Sequence, residues 1–272
     1  EFDPLLEDIY EYCDQQNLEN DTLIHEVGTG QMEINFMHGD PLQLADSVFL
    51  FKRTVREAAY RHDMYATFMA KPMADQPGSA MHIHQSVIDI KTGENLFANS
   101  DGSDSDLFNY AIGGLQEYLP PAIVLMAPFV NSYRRLVRDN AAPINVQWGR
   151  DNRTVGIRIP EANKAARRIE NRLPGVDANP YIAIATSLAC AYLGMVKKIK
   201  PQPELKGNAY AHPQELPRSL LEAMDLLQSV PDLHEILGES FIKLYLSVKR
   251  QEYSEYMKVI SPWERRHLLL HV

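Results

Sequence analysis

Cysteine is scarce: two in 272 residues, Cys13 and Cys190. They lie far apart in helical-looking segments and match no metal spacing, which excludes a disulfide framework and a cysteine metal knuckle. Both are expected as small buried hydrophobes in a reducing, cytoplasmic compartment. Long apolar runs are lacking too. The longest uncharged stretch, residues 181–196, is short for a membrane span and diluted by Ala, Thr, Ser and Gly, so it is expected as a buried core helix. No signal-like segment is expected at the front. Positive charge is in deficit, with a formal net charge of -9, which argues against nucleic acid or an anionic membrane as partner. Repeats and low-complexity tracts are absent, and the one Ser/Asp-rich stretch, residues 98–106, is a surface loop.

What is present is a chain with 45% hydrophobic residues, enough for one large core. Its charge is unevenly spread. Between Arg134 and Arg172 nine arginines and one lysine face only Asp139, Asp151, Glu161 and Glu170, a local excess of about +6 inside an acidic protein. Arginine, the better bidentate partner of carboxylate and phosphate, dominates, so a small, strongly anionic ligand is expected there.

Periodicity gives a helix at the front and strands over 22–27 and 31–37. A helix follows with Asp40 as N-cap and Pro41 in its first turn, carrying Leu44, Val48, Phe51 and Val55 on one stripe. Strands are expected at "MYATFMA" and "SAMHIHQSVID", a hairpin turn at "KTGE", and a helix from Asp106. "INVQWGR", "RTVGIRIP" and "ARRIENRLP" are short and strand-like. Asn179 and Pro180 start the long buried helix, and amphipathic helices fill the chain beyond about residue 200. Hairpin strands with grouped helices predict an α+β fold with a curved, mostly antiparallel sheet and flanking helices.

Three clusters can carry chemistry. In "HEVGTGQMEI" a four-residue connection, GTGQ, sets Glu26 opposite Glu33 on one face, where like charges repel unless a cation or a shared proton intervenes; a three-residue turn sets Glu33 opposite His25 instead. In "GSAMHIHQS" alternation puts His82, His84 and Ser86 on one polar face, suited to a divalent metal and a nucleotide. In "RRIENR" Arg168, Glu170 and Arg172 share a face. Taken singly, each cluster is also explained by a solvated strand or an ion-pair ladder. Arg153 and Arg158, five apart, fall on opposite faces of a flat strand, so a bulge intervenes or one of them is structural.

These motifs, in this order, resemble the catalytic domain of the glutamine synthetase family, together with "TFMAKPM", "NLFA", "NSYRRL" and "DANPYI". The resemblance covers nearly the whole chain, residues 1–272, as one catalytic domain. It implies transfer of the γ-phosphoryl group of ATP to the side-chain carboxylate of glutamate, then attack by ammonia or an amine. It implies two or more Mg²⁺ or Mn²⁺ ions, one held by Glu26 and Glu33 and one by His82 and Glu170. Arg135 and Arg172 match arginines that hold glutamate and its acyl phosphate, with Gly78 lending backbone. Arg153, Arg158 and Arg168 match phosphate-binding positions, and His84 with Ser86 matches part of the nucleotide site. A homo-oligomer, in the family a ring-built dodecamer, is implied as well.

Two departures stand out. Ammonia-using members carry a glutamate six residues past the position of Arg135; here that position is Ala141. This flavour is most similar to the γ-glutamylpolyamine ligases, so a primary amine such as putrescine is the expected acceptor, with ammonia as the alternative and a non-catalytic structural or regulatory member as a second. The other departure is upstream. The family's small β-rich domain and its Glu-x-Glu strand match nothing before Glu26, so an N-terminally truncated, inactive piece is expected. Tyr210 lies near a regulatory tyrosine of bacterial members and is expected to be an ordinary loop residue.

Overall fold

The computed structural model describes residues 2–138 and 141–272. Asp139, counted in the basic stretch above, lies outside the described residues. The chain opens with α1 (Asp3–Gln15), then β1 (Asn20–His25) and β2 (Met32–Phe36), and α2 (Pro41–Arg61). Asp40 caps α2 by accepting from the backbone N–H of Leu42 and Gln43, at 3.0 and 3.1 Å, with Pro41 in the first turn. That satisfies two orphan donors in the way its sequence suggested.

The middle of the chain gives β3 (Ile83–Gln85), α3 (Asp106–Ala122), the single turn α4 (Ser132–Arg135), β4 (Trp148–Arg150), β5 (Ile157–Ile159) and β6 (Ile169–Asn171). Then come α5 (Pro180–Lys197), α6 (Leu220–Gln228), α7 (Pro231–Leu237), α8 (Glu239–Tyr256) and α9 (Pro262–Leu268). Asn179 caps α5 as Asp40 caps α2. Among the described residues α5 is the one helix long and apolar enough to cross a membrane, but half of that stretch is buried inside the protein. Cys13 and Cys190 are free and buried, as expected.

The fold is α+β, and its strands form two sheets. β1 and β2 pair antiparallel alone, and the other sheet runs β3-β6-β5-β4. β3 with β6 and β6 with β5 are antiparallel, whereas β4 and β5 are parallel. The four-stranded sheet belongs to the main core, where Ile83, Ile157, Ile159 and Ile169 pack with Phe108, Leu115 and Leu119 of α3 and Cys190 of α5. The hairpin rests on a smaller cluster. Ile34 and Phe36 of β2 pack against Leu5, Ile9, Phe51 and Ala58 of α1 and α2, with Phe36 edge-on to Phe51 at 5.2 Å between centroids.

Two strand expectations need correcting. "MYATFMA" forms no ladder: residues 64–69 carry no regular structure, Phe68 packs into the small cluster, and the Ala70 carbonyl accepts from Ser79 N–H at 2.8 Å. An apolar alternation makes a strand only where a neighbour supplies pairing. The hairpin register also differs from both readings. Ile24 faces Glu33, His25 faces Met32, and the Glu26 N–H donates to the Gln31 carbonyl at 2.9 Å. The connection is therefore Val27 to Gly30, and it closes through Gln31 N–H to the Gly28 carbonyl at 3.0 Å, with Gly30 at φ +65°. Only glycine enters that left-handed conformation freely.

Candidate active site

The corrected register keeps Glu26 and Glu33 on one face, one diagonal step apart, because Glu26 is opposite Gln31 and Gln31 is two residues from Glu33. Ile34 and Phe36 take the other face, toward α1 and α2. Burial, then the hydrogen-bonding approach and charge of Glu26, raise the Glu33 carboxyl above the usual range; Asn35 works against this, and the charge of Glu170 adds to it. Two half-buried carboxyls within reach of each other are a donor set suited to a hard divalent cation.

The sheet holds the opposite arrangement. Glu170, on β6, is 2% exposed and has both oxygens occupied: Arg158 Nη1 at 2.7 Å on Oε2, Arg172 Nη1 at 2.8 Å on Oε1. His82 Nδ1 faces Oε1 at 3.2 Å. Burial works against the ionised form of Glu170, but the neighbouring His82, Arg172 and His84 and the hydrogen bond from Arg158 outweigh it and hold its pKa below the usual range. The His82 pKa is pushed down to about 3, first by burial and then by Arg172. A neutral imidazole with its proton on Nδ1, directed at Glu170, leaves Nε2 an open lone pair, as a metal ligand needs.

Further along the same strands, Arg168 Nε donates to His84 Nδ1 at 3.2 Å. Burial, Arg168 and Arg158 keep the His84 pKa low, which that acceptor role requires. Ser86 is exposed two residues on. Arg158 also reaches Asp151 Oδ1 at 3.0 Å. The Nε–H groups of both Arg158 and Arg172 are buried without an acceptor among the described residues. Donors left over after Glu170 is satisfied suit an incoming oxyanion.

Arg135 is 2% exposed and turns its fork inward: Nη1 donates to the Leu173 carbonyl at 2.8 Å and Nη2 to the Arg172 carbonyl at 2.9 Å. Burial lowers its pKa to about 10. It thereby fixes the backbone that carries Arg172. Gly78 lies against it, and a Cβ there would come within 2.8 Å of Arg135 Cγ and 2.6 Å of the Ala70 carbonyl oxygen. Arg153 stays apart, exposed on the loop after β4 without a side-chain partner among the described residues. The loop is the answer to the five-residue spacing: Asp151 at φ +45° turns the chain so that Arg158 faces Glu170 while Arg153 faces solvent.

Among the described residues no group of three or more His, Cys, Asp or Glu is placed to hold a metal ion. The expected ligands come in pairs, Glu26 with Glu33 and His82 with Glu170. Both pairs fit a cation chemically, the second only when Glu170 exchanges a guanidinium for it. Sequence reasoning overlooked Gln31 and Asp151. Gln31 lies between the two glutamates, and only its position two residues from Glu33 hinted at a part in the site.

The site thus sets an arginine-lined carboxylate near a carboxylate pair. The family model for the glutamine synthetase catalytic domain matches residues 1–268, and the chain belongs to that family. Among curated relatives, glutamine synthetase of Halobacterium salinarum is 37% identical over 255 residues, covering 88% of this chain and 55% of the relative. Gamma-glutamylputrescine synthetase PuuA of Escherichia coli is 35% identical over 271 residues, 98% of this chain and 57% of the relative. A solved structure described as apo GmaS without ligand superposes with a TM-score of 0.89 at 33% identity, over 99% of this chain and 63% of that one. The chain thus spans a little over half the length of those two curated relatives.

Proposed function

We propose that the protein containing this chain is an ATP-dependent ligase that joins glutamate to a primary amine through γ-glutamyl phosphate. The observation that carries the ligase reading is the pair of orphaned, buried Nε–H donors on Arg158 and Arg172 around Glu170, next to the half-buried pair Glu26 and Glu33. A carboxylate is a poor electrophile, and activating it means bringing two anions together while charge spreads over the transferring phosphoryl oxygens. Arg158 and Arg168 serve the phosphates, and Arg172, fixed by Arg135 through its own carbonyl, holds the amino-acid carboxylate against Gly78. Divalent ions, when bound by Glu26 with Glu33 and by His82 with Glu170, supply charge neutralisation on phosphate and carboxylate oxygens. His84 and Ser86 stand where the nucleotide is expected. The full protein is expected to be a cytoplasmic homo-oligomer with small-molecule substrates.

The acceptor reading rests on Ala141, where ammonia-using members of the family carry a glutamate. Without that carboxylate an ammonium ion loses its counter-charge, and an alkylamine can bring binding energy from its own methylenes. PuuA supports this by resembling the chain over nearly its whole length. The glutamine synthetases match about as closely, which keeps ammonia as the second reading. ADP release by the full-length protein, with ATP, glutamate and acceptors from ammonium to putrescine, spermidine and ethanolamine, tests both. A primary alkylamine is expected to exceed ammonium in kcat/KM by about tenfold or more, the share of a few buried methylenes. Turnover fastest with ammonium, with putrescine ignored, overturns the amine reading and leaves the ligase.

A further inference from the structure

The tip of the β1–β2 hairpin is fastened to the loop that carries Gly78, and one side chain makes most of the attachment. Gln31 Oε1 accepts from the Gly28 N–H at 3.1 Å, while Nε2 donates to the Gly78 carbonyl at 3.2 Å and to Ser79 Oγ at 2.9 Å. The amide thus spends its acceptor on its own turn and both donor hydrogens on the neighbouring loop. Its approach to the turn is close: a Cβ on Gly28 would lie 2.6 Å from Gln31 Oε1. A weaker second tie runs from the Thr29 N–H to Gln76 Oε1 at 3.2 Å, at an exposed position.

The position of Gln31 makes this more than a loop contact. Its backbone carbonyl holds the Glu26 N–H at 2.9 Å, and Glu33 follows two residues on along the same face. On the far side, Gly78 lies against the Arg135 side chain, whose guanidinium holds the carbonyls of Arg172 and Leu173. One amide therefore stands between the carboxylate pair and the arginine-bearing strand.

We infer that Gln31 is a positioning residue, which sets the distance between the Glu26–Glu33 pair and the Gly78–Arg135 side of the site and so couples cation binding at the pair to binding of the amino-acid carboxylate. This rests on the proposed reading of the pair as a divalent-ion site and of Gly78 with Arg135 as the amino-acid side. The hairpin has only two strands, and an isolated two-stranded hairpin is marginally stable. Without the amide, the hydrogen bonds left between its tip and that loop among the described residues are those of Thr29 to Gln76, and the pair loses its fixed place relative to β6. Outer partners that orient metal ligands are commonly worth tenfold or more in metal affinity.

The test uses the full-length protein with Gln31→Met, similar in shape and unable to make the three hydrogen bonds, and Gln31→Asn, an amide one methylene too short. Mn²⁺ binding is read by paramagnetic resonance without turnover, and KM is measured separately for glutamate and ATP. Both variants are expected to weaken one class of Mn²⁺ site by about tenfold and to raise the glutamate KM while the ATP KM stays within about twofold. The factor by which Mn²⁺ tightens glutamate binding should fall toward one, as lost coupling requires. A role confined to stability would lower the folded fraction and leave these quantities unchanged in the protein that remains folded, which overturns the inference. Glu33→Gln separates the two layers. If it abolishes that Mn²⁺ site while Gln31→Met keeps parental Mn²⁺ and glutamate binding, positioning fails and the ion reading stands. If Glu33→Gln binds Mn²⁺ as the parent does, the ion reading fails and takes the inference with it.

Discussion

The two sheets solve the problem of buried charge in opposite ways. In the four-stranded sheet, Glu170 sits inside the main core with Arg158, Arg172 and His82 already against it, so its charge is compensated before any ligand arrives. At the two-stranded sheet, Glu26 and Glu33 lie diagonally on one face, half-buried, and burial with mutual repulsion raises the Glu33 carboxyl. One region holds its carboxylate compensated and set against the main core. The other is left with a repulsion between two carboxyls, and it rests on a smaller apolar cluster. The charge in the four-stranded sheet is thereby held without a ligand, while the hairpin keeps a repulsion between its carboxyls.

The sharpest way to break this contrast is to remove the central carboxylate. Glu170→Ala takes from Arg172, 8% exposed, its carboxylate partner, while Arg158 keeps Asp151. Breaking a buried pair from one side costs about 3–5 kcal/mol, so urea unfolding of the metal-free protein should show a loss of that size. The equivalent change on the hairpin, Glu26→Ala, should show no such loss, because it removes a repulsion. Equal losses at the two positions would mean that the carboxylates are alike in their surroundings and that the contrast is wrong.

How much of this was legible in the sequence follows the range of the interactions. The caps at Asp40 with Pro41 and Asn179 with Pro180 are local, and both helices begin where those residues stand. Alternation put His82 and His84 on one polar side at β3, and Glu170 with Arg172 on one side at β6, His82 and Arg172 falling just outside the strands, since period two needs no partner to be read. The failures are non-local. Residues 64–69 alternate like a strand and pair with nothing regular. The register of Glu26 and Glu33 was two residues off, which kept both on one face, because it hangs on which residues close the turn; with Gly30 in the left-handed region the closure falls at Glu26 and Gln31. Gln31 itself was invisible for the same reason, because its partners Gly78 and Ser79 lie 47 and 48 residues away.

The joint between the regions should respond at an intermediate level. Gly78→Ala places a methyl group 2.6 Å from the Ala70 carbonyl oxygen and 2.8 Å from Arg135 Cγ. The backbone must shift or Arg135 must retreat from the carbonyls it holds, and overpacking of this kind costs about 1–3 kcal/mol. The displacement bears on both halves, so thermal unfolding should show lower stability and the full-length protein a raised glutamate KM. An unchanged KM beside lowered stability would place Gly78 in the scaffold and away from the amino acid.

The smallest effect has the opposite sign and isolates the hairpin's tension. The folded pKa of Glu33 lies above its ordinary value, so its contribution to stability is whole below that ordinary value and is lost as pH rises through the raised one. Glu33→Gln removes the titration. In metal-free protein it should therefore stabilise the fold at neutral pH by about 0.5–1 kcal/mol, the scale of a like-charge cross-strand pair. That advantage should shrink as pH falls through the carboxylate range, until at about pH 4 parent and variant agree. Adding Mn²⁺ should reverse the order at neutral pH, since an ion bound only by the folded parent stabilises it by about 2.7 kcal/mol at roughly a hundred times its Kd. A gain that is flat with pH and indifferent to Mn²⁺ would show that the two carboxyls do not strain each other, and the difference between the sheets would then be one of burial alone.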